Sequence, residues 1–215
     1  MPGSIKIDDG SGNYTILTNA GSLGSDKTIT IPNETATLAT TNASNLGGLV
    51  KIDDHDFSAS TSVTRDSVFS STYDNYKIFV NLTDGSETTT QCAIRLRASS
   101  TSTTSNYGGH RNYVATGAAV NVHGNAFGTT YLYLADVDSG STKVTCSDMT
   151  LYAPNLAAPT KLLGQGQGFW SSTFYSQQVY GFQSDNTQFD GIELYPFSPG
   201  GATITGNIQI FGIKQ

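Results

Sequence analysis

The sequence predicts an all-β protein: an antiparallel β-sandwich of jelly-roll type behind an extended N-terminal β arm. Three observations point there. Apolar residues alternate with polar ones over short runs, as in "YDNYKIFVNL", and no stretch shows a helical period. The runs are separated by turn clusters such as "DDGSGN" and "TDGSE". Charged residues are only 13% of the 215 residues, and the remaining polarity comes from Ser, Thr, Asn, Gln and Gly, which suit turns and solvated strand faces better than helix surfaces.

Up to about Asn45 the chain reads as four thin strands, "SIKI", "YTIL", "KTITI" and "TATLA". Each is too short and too sparsely apolar to bury itself, so residues 1–45 are expected to order by pairing with other chains. Pro32 lacks a ladder donor and marks a break between "KTITI" and "TATLA". Ile29, Ile31, Pro32 and Leu38 are the candidate docking residues of this arm. The small-residue stretch "ASNLGG" then forms a hinge, and residues 46–215 form the sandwich.

Within 46–215 the expected strands begin with "LVKIDD" and "YDNYKIFVNL", the latter placing Tyr76, Ile78, Val80 and Leu82 on one face. "TDGSE" then predicts a hairpin into "QCAIRLRA". "TTYLYLAD", "KVTCSDMTLYA", "TFYSQQVYGF", "FDGIELYPF" and "GNIQIFGIK" complete about eight strands. A short helical turn is expected over Arg65–Ser71. The stretch Ala98–Tyr113 has no strand pattern and reads as a long loop, an exposed tip or intersubunit contact. Phe174, Tyr180 and Phe182 share one strand face and are expected to pack in the core or at a trimer interface.

No residue set announces catalysis or a cofactor. His55 sits among Asp53, Asp54 and Asp56, but alternation puts Asp54 and Asp56 on the face opposite His55, so no metal site is expected there. His110 and His123 have no GxSxG or HExxH partner, and "DDGSGN" lacks the distal glutamate of a calcium loop. "GQGQGFW" lacks the lysine of a phosphate loop and reads as a loop entering a strand. Asp136, Asp138, Asp190 and Glu193 are scattered carboxylates without the convergence that glycoside hydrolysis needs. Cys92 and Cys146 read as buried free thiols. The net charge of -6 leaves no basic patch for nucleic acid, no run is long enough to insert in a membrane, and the first residues lack a signal region, which predicts synthesis in a cytosol. In the expected loop, Tyr107, His110, Arg111 and Tyr113 are the candidate surface or glycan contacts.

The stretch "ILTNAGSLGSDKTITIPNETATLATT", residues 16–41, resembles segments of bacteriophage tail-fibre and other virion-surface proteins, where a "TITIP" strand precedes a "TATLATT" strand. "STYDNYKIFVNL", "CAIRLRASS", "NYGG" and "GNIQIFGIKQ" are similar to the terminal domain of fibre-like proteins from marine phages, especially those infecting cyanobacteria and related bacteria. The resemblance implies a non-enzymatic structural protein of a tailed-phage virion, made in the host cytoplasm and displayed on the virion surface. It implies a homotrimer whose arm docks on other virion proteins of the tail, baseplate or capsid, without a cofactor. The expected role is a short tail fibre or fibre tip in host attachment through a surface glycan, with a capsid decoration or head-fibre protein as the alternative. About 45 residues of arm reach at most about 150 Å fully extended, too little for a long shaft.

Overall fold

The computed structural model describes residues 4–8, 14–18, 48–117, 121–140, 143–171, 173–198 and 200–214. The chain divides into two units, Met1–Ala43 and Ser44–Gln215. In the first, β1 (Ser4–Asp8) and β2 (Tyr14–Thr18) pair with each other antiparallel, with Ser4 opposite Thr18 and Asp8 opposite Tyr14. The strands expected at "KTITI" and "TATLA", with Ile29, Ile31, Pro32 and Leu38, lie outside the described residues.

The second unit is an antiparallel β-sandwich. Its larger sheet runs in the order β3 (Gly48–Ser60), β15 (Ile204–Lys214), β5 (Asn75–Gly85), β11 (Thr145–Tyr152), β12 (Thr160–Trp170), β13 (Thr173–Gln183), β8 (Tyr107–Ala115) and β9 (Asn121–Thr129). The smaller sheet runs β10 (Leu132–Val137), β6 (Thr90–Ala98), β14 (Gly191–Ser198) and β4 (Val63–Arg65), with β7 (Thr101–Ser102) beside β6. The core lies between the sheets. Tyr76, Ile78, Val80 and Leu82 of β5 and Ile204, Ile208 and Ile210 of β15 meet Cys92, Ile94 and Leu96 of β6 and Ile192 and Leu194 of β14 in one buried cluster. Burial stabilises by about 1.5–3 kcal/mol for each large aliphatic side chain, so the period-2 pattern of these strands is enough to select the buried face.

That pattern selects the face but not the neighbour. The hairpin expected between "YDNYKIFVNL" and "QCAIRLRA" does not form: β5 pairs with β11 and β15, β6 pairs with β10 and β14, and the chain crosses from one sheet to the other between them. Gly85 and Ser86 in the crossing donate instead to the carbonyls of Asp138 and Thr203. A short hairpin instead joins β6 to β7, whose two linking residues, Ser99 and Ser100, both adopt positive φ, as a tight primed turn requires. The helical turn expected at Arg65–Ser71 is also absent. Ser67 has φ 59°, and the N–H groups of Val68 and Phe69 both donate to the Asp190 carbonyl, at 2.8 and 3.0 Å, so they are spent on tertiary contacts.

Ala98–Tyr113 is not a long loop either, since it contains β7 and most of β8. The apolar alternation of β8 is masked because Arg111 occupies an inward position and Gly108 and Gly109 stand next to one another. Cys92 is buried, as expected, but Cys146 is exposed: its neighbours Thr145 and Ser147 take the inward positions of β11. Both are free thiols.

Ion pairs tie the small sheet to its surroundings. Arg65 Nε and Nη2 donate to both Asp53 oxygens at 2.5 and 2.8 Å, and Arg97 Nε donates to Asp66 at 2.7 Å. These hydrogen bonds hold both carboxyls below the ordinary value of 3.8. A carboxyl depressed in the folded state contributes stability that is complete above its unfolded pKa and lost as pH falls through its folded one. Thermal melts should therefore be flat from pH 7 to about 5 and drop below about pH 4. Asp66→Asn should lower the plateau and flatten the acid limb; an acid limb unchanged by this substitution would contradict the assignment.

Candidate functional site

The residues expected at the tip, Tyr107, His110, Arg111 and Tyr113, lie together on β8, but three of the four face inward. Tyr107 is fully buried and its hydroxyl accepts the Leu96 N–H at 2.8 Å. Arg111 lies between the rings of Tyr113 and Tyr133, 4.7 and 3.9 Å from their centroids, and donates to the Tyr133 hydroxyl and, at 2.8 Å, to Asp136. Tyr113 is also buried. Only His110 faces outward. The reason is the local need of β10, the edge strand of the smaller sheet, whose unpaired backbone must be covered.

The larger sheet supplies that cover with polar side chains. The Tyr175 hydroxyl donates to the Asp136 carbonyl at 2.7 Å and accepts the Asp136 N–H at 2.8 Å. Thr145 donates to the same carbonyl, and the Gln177 side-chain amide donates to the Leu134 carbonyl beside the bulge in β10. Burial opposes the Arg111 charge, but Tyr133 and Asp136 outweigh it and its pKa is raised. Burial, with the Asp136 charge adding to it, pushes the Tyr133 and Tyr175 hydroxyls far up, so both stay protonated donors. This cluster closes the sandwich, with the buried Asp136 Oδ1 and Gln177 Oε1 left without a hydrogen-bond partner among the described residues.

The carboxylates are likewise committed. Asp136 pairs with Arg111, Asp138 with Lys143 at 2.7 Å, Glu193 accepts from Ser62 at 2.8 Å, and Asp190 accepts the Ser99 N–H at 3.2 Å. Near His55, Asp54 and Asp56 both accept from the Asn207 amide, at 2.9 and 2.7 Å. Among the described residues no three His, Cys, Asp or Glu side chains are grouped as metal ligands.

The outer face of the larger sheet carries exposed amide and aromatic side chains around surface hollows. "GQGQGFW" is not a loop but the second half of β12. Its glycines point inward and Gln165 and Gln167 point outward. The glycines are required: a Cβ at Gly166 would stand 2.8 Å from the Cys146 carbonyl and Ser147 Oγ, and one at Gly168 2.2 Å from Thr145 Oγ1. The room beneath the middle of β12 is taken by Thr145 and Ser147 of β11 and Gln177 of β13, and the surface above it is hollowed. One hollow of about 590 Å³ is lined by Asn81, Gln165, Gln167, Ser176 and Gln178. A second, of about 860 Å³, is lined by Tyr152, Leu163, Tyr180, Phe182 and His110. Gln165, Gln178, Leu163 and Tyr180 also line the saddle between them, so the two form one trough.

The aromatic end is ordered by cross-strand contacts. His110 and Tyr180, paired across β8 and β13, stack at 4.8 Å with 22° between their planes. Phe182 covers Gly108, where a Cβ would come within 2.7 Å of the ring. Phe174, Tyr180 and Phe182 thus do share a face of β13, but it is the outer one, so of the two packings expected for them the core is excluded. The inward positions go to Tyr175 and Gln177, which bond the edge of β10, to Val179 in the core and to Gln183, which bonds Asp185. The glutamines of the trough carry no strand signal in the sequence, because Gly–Gln alternation is a strand period without an apolar member.

No protein-family model, curated protein or solved structure matches the chain.

Proposed function

We propose that the chain is a non-enzymatic structural protein of a tailed-phage virion, a homotrimer whose arm docks on the particle and whose sandwich is displayed as a short tail fibre or fibre tip in host attachment. The observation that carries this reading is the partition of the chain: a short unit, Met1–Ala43, with a single two-stranded hairpin among its described residues, and a unit, Ser44–Gln215, with a complete core of its own. A module that folds by itself, behind a segment too thin to do so, suits attachment by one end and display of the other. The likeness of residues 16–41 and of the sandwich strands to virion-surface proteins gives the reading its biological setting. Capsid decoration is the second reading, favoured by the short reach of the arm.

The arm is the place to test it. Full-length protein should scatter light with the mass of three chains. Deleting residues 1–43 should leave a cooperative thermal transition, since the buried cluster lies wholly within the second unit. Arm substitutions Ile29→Asp and Ile31→Asp should lower incorporation into particles without moving that transition. A full-length monomer, or a sandwich whose transition falls with these substitutions, would overturn the assignment of docking to the arm.

A further inference from the structure

The geometry points to the trough on the outer face of the eight-stranded sheet as a binding site for a neutral oligosaccharide. The inference deepens the attachment role proposed above and rests on it for the source of the sugar.

Three features define the ligand. The side-chain amides of Asn81, Gln165 and Gln167 have no hydrogen-bond partner among the described residues, and each offers two N–H donors and a carbonyl acceptor to solvent. Gln178 accepts the Tyr180 hydroxyl at 2.9 Å, which fixes its carbonyl and leaves its N–H groups to donate. Planar groups with both donors and acceptors match adjacent sugar hydroxyls, which are also both. Beside them, the Tyr180–His110 stack, Tyr152 and Phe182 provide apolar surface for the C–H face of a pyranose ring. Few convergent polar groups next to an aromatic platform is the ordinary make-up of a ligand site.

Charge and size narrow the class. In the middle of the trough the Lys77 ammonium and Asp148 carboxylate neutralise each other. Only Lys161, at the aromatic end, carries a charge without a partner among the described residues, too little to select an anionic polymer. From Lys161 to Gln167 the trough follows β12 for about 20 Å, at the rise of an extended strand, which suits a run of sugars rather than a monosaccharide. A second copy of this chain fits less well, because the central cores of protein interfaces are depleted of charged residues, whereas Lys77, Asp148 and Lys161 lie along this trough.

The trough carries its own reporter. Cys146 is exposed beside Gln167, its cross-strand partner, while Cys92 is buried, so an uncharged maleimide modifies the trough alone.

Affinity electrophoresis of the full chain through gels containing dextran, mannan, a neutral galactan or alginate tests the site. At least one neutral polysaccharide should retard the protein and slow Cys146 modification. Gln165→Ala with Gln178→Ala should weaken that retardation by about tenfold or more, through the loss of several hydrogen bonds, without moving the thermal transition. Retardation by none of the neutral polymers, retardation by alginate alone, or undiminished binding by the double variant would overturn the inference. So would Leu163→Arg splitting the assembly seen by light scattering, which would assign the face to a second copy. Particle incorporation with no polysaccharide binding removes this inference alone, whereas polysaccharide binding by a chain absent from particles removes the virion reading and leaves the trough.

Discussion

Replacing Arg111 by Met should cost the sandwich about 3–5 kcal/mol, because Asp136 would then be a buried carboxylate without its counter-charge. Arg111 and Asp136 are 6% and 2% exposed, and the guanidinium also holds Tyr133 by ring stacking and a hydrogen bond to its hydroxyl. The two partners come from different sheets, β8 and β10, so losing one loosens the seam where the edge of the smaller sheet is covered. Adding Asp136→Asn to Arg111→Met should restore a large part of the loss, since a neutral pair leaves no uncompensated charge. Urea unfolding of the wild type, both single variants and the double variant measures the cycle. Arg111→Met costing less than about 1 kcal/mol, the value of an exposed ion pair, would mean that the pair is solvated in solution.

Phe189→Ala should be nearly as damaging, at about 3–5 kcal/mol, through the cavity left by a fully buried ring. Phe189 precedes β14 in a segment without ladder bonds, yet its N–H donates to the Pro154 carbonyl at 2.8 Å and its carbonyl accepts from Asn155 Nδ2 at 2.9 Å. Those backbone bonds survive the substitution, so the loss reads packing alone. For a unit of this size each kcal/mol lowers the melting temperature by about 2–4 °C. Phe189→Leu should recover most of the difference. If alanine and leucine melted alike, near the wild type, the ring would not be part of the core.

How much of this was legible in the sequence depended on what each strand buries. Strands that bury an unbroken row of hydrophobic side chains, such as β5 with Tyr76, Ile78, Val80 and Leu82, announce both their existence and their inward face. Strands that bury something else do not. β8 turns Arg111 inward and β12 turns Gly166 and Gly168 inward, and both read as loops from sequence. On β13 the inward Tyr175 and Gln177 carry no stronger apolar signal than the outward Phe174 and Phe182, so alternation alone does not say which face is buried. For β8 and β13 the deciding partner is the edge of β10, and for β12 it is Thr145 and Ser147 of β11; these partners are distant in sequence and leave no local mark. The trough followed the same rule: it rests on glycines under the sheet and amides above it, and neither belongs to a known chemical motif. Of the four tip residues expected to meet a ligand, only His110 reaches that face, by alternation from its buried neighbours.

The attachment role is tested most directly by immunogold electron microscopy, using antibodies against the 44–215 unit and particles purified from a lysate in which this chain is encoded. Gold should sit at the distal end of the tail or on the baseplate, and should be lost from particles whose chain lacks residues 1–43. Gold on the capsid would replace the fibre reading by the decoration one. Particles bare of gold, with the protein left in the soluble fraction of the lysate, would contradict a virion role altogether.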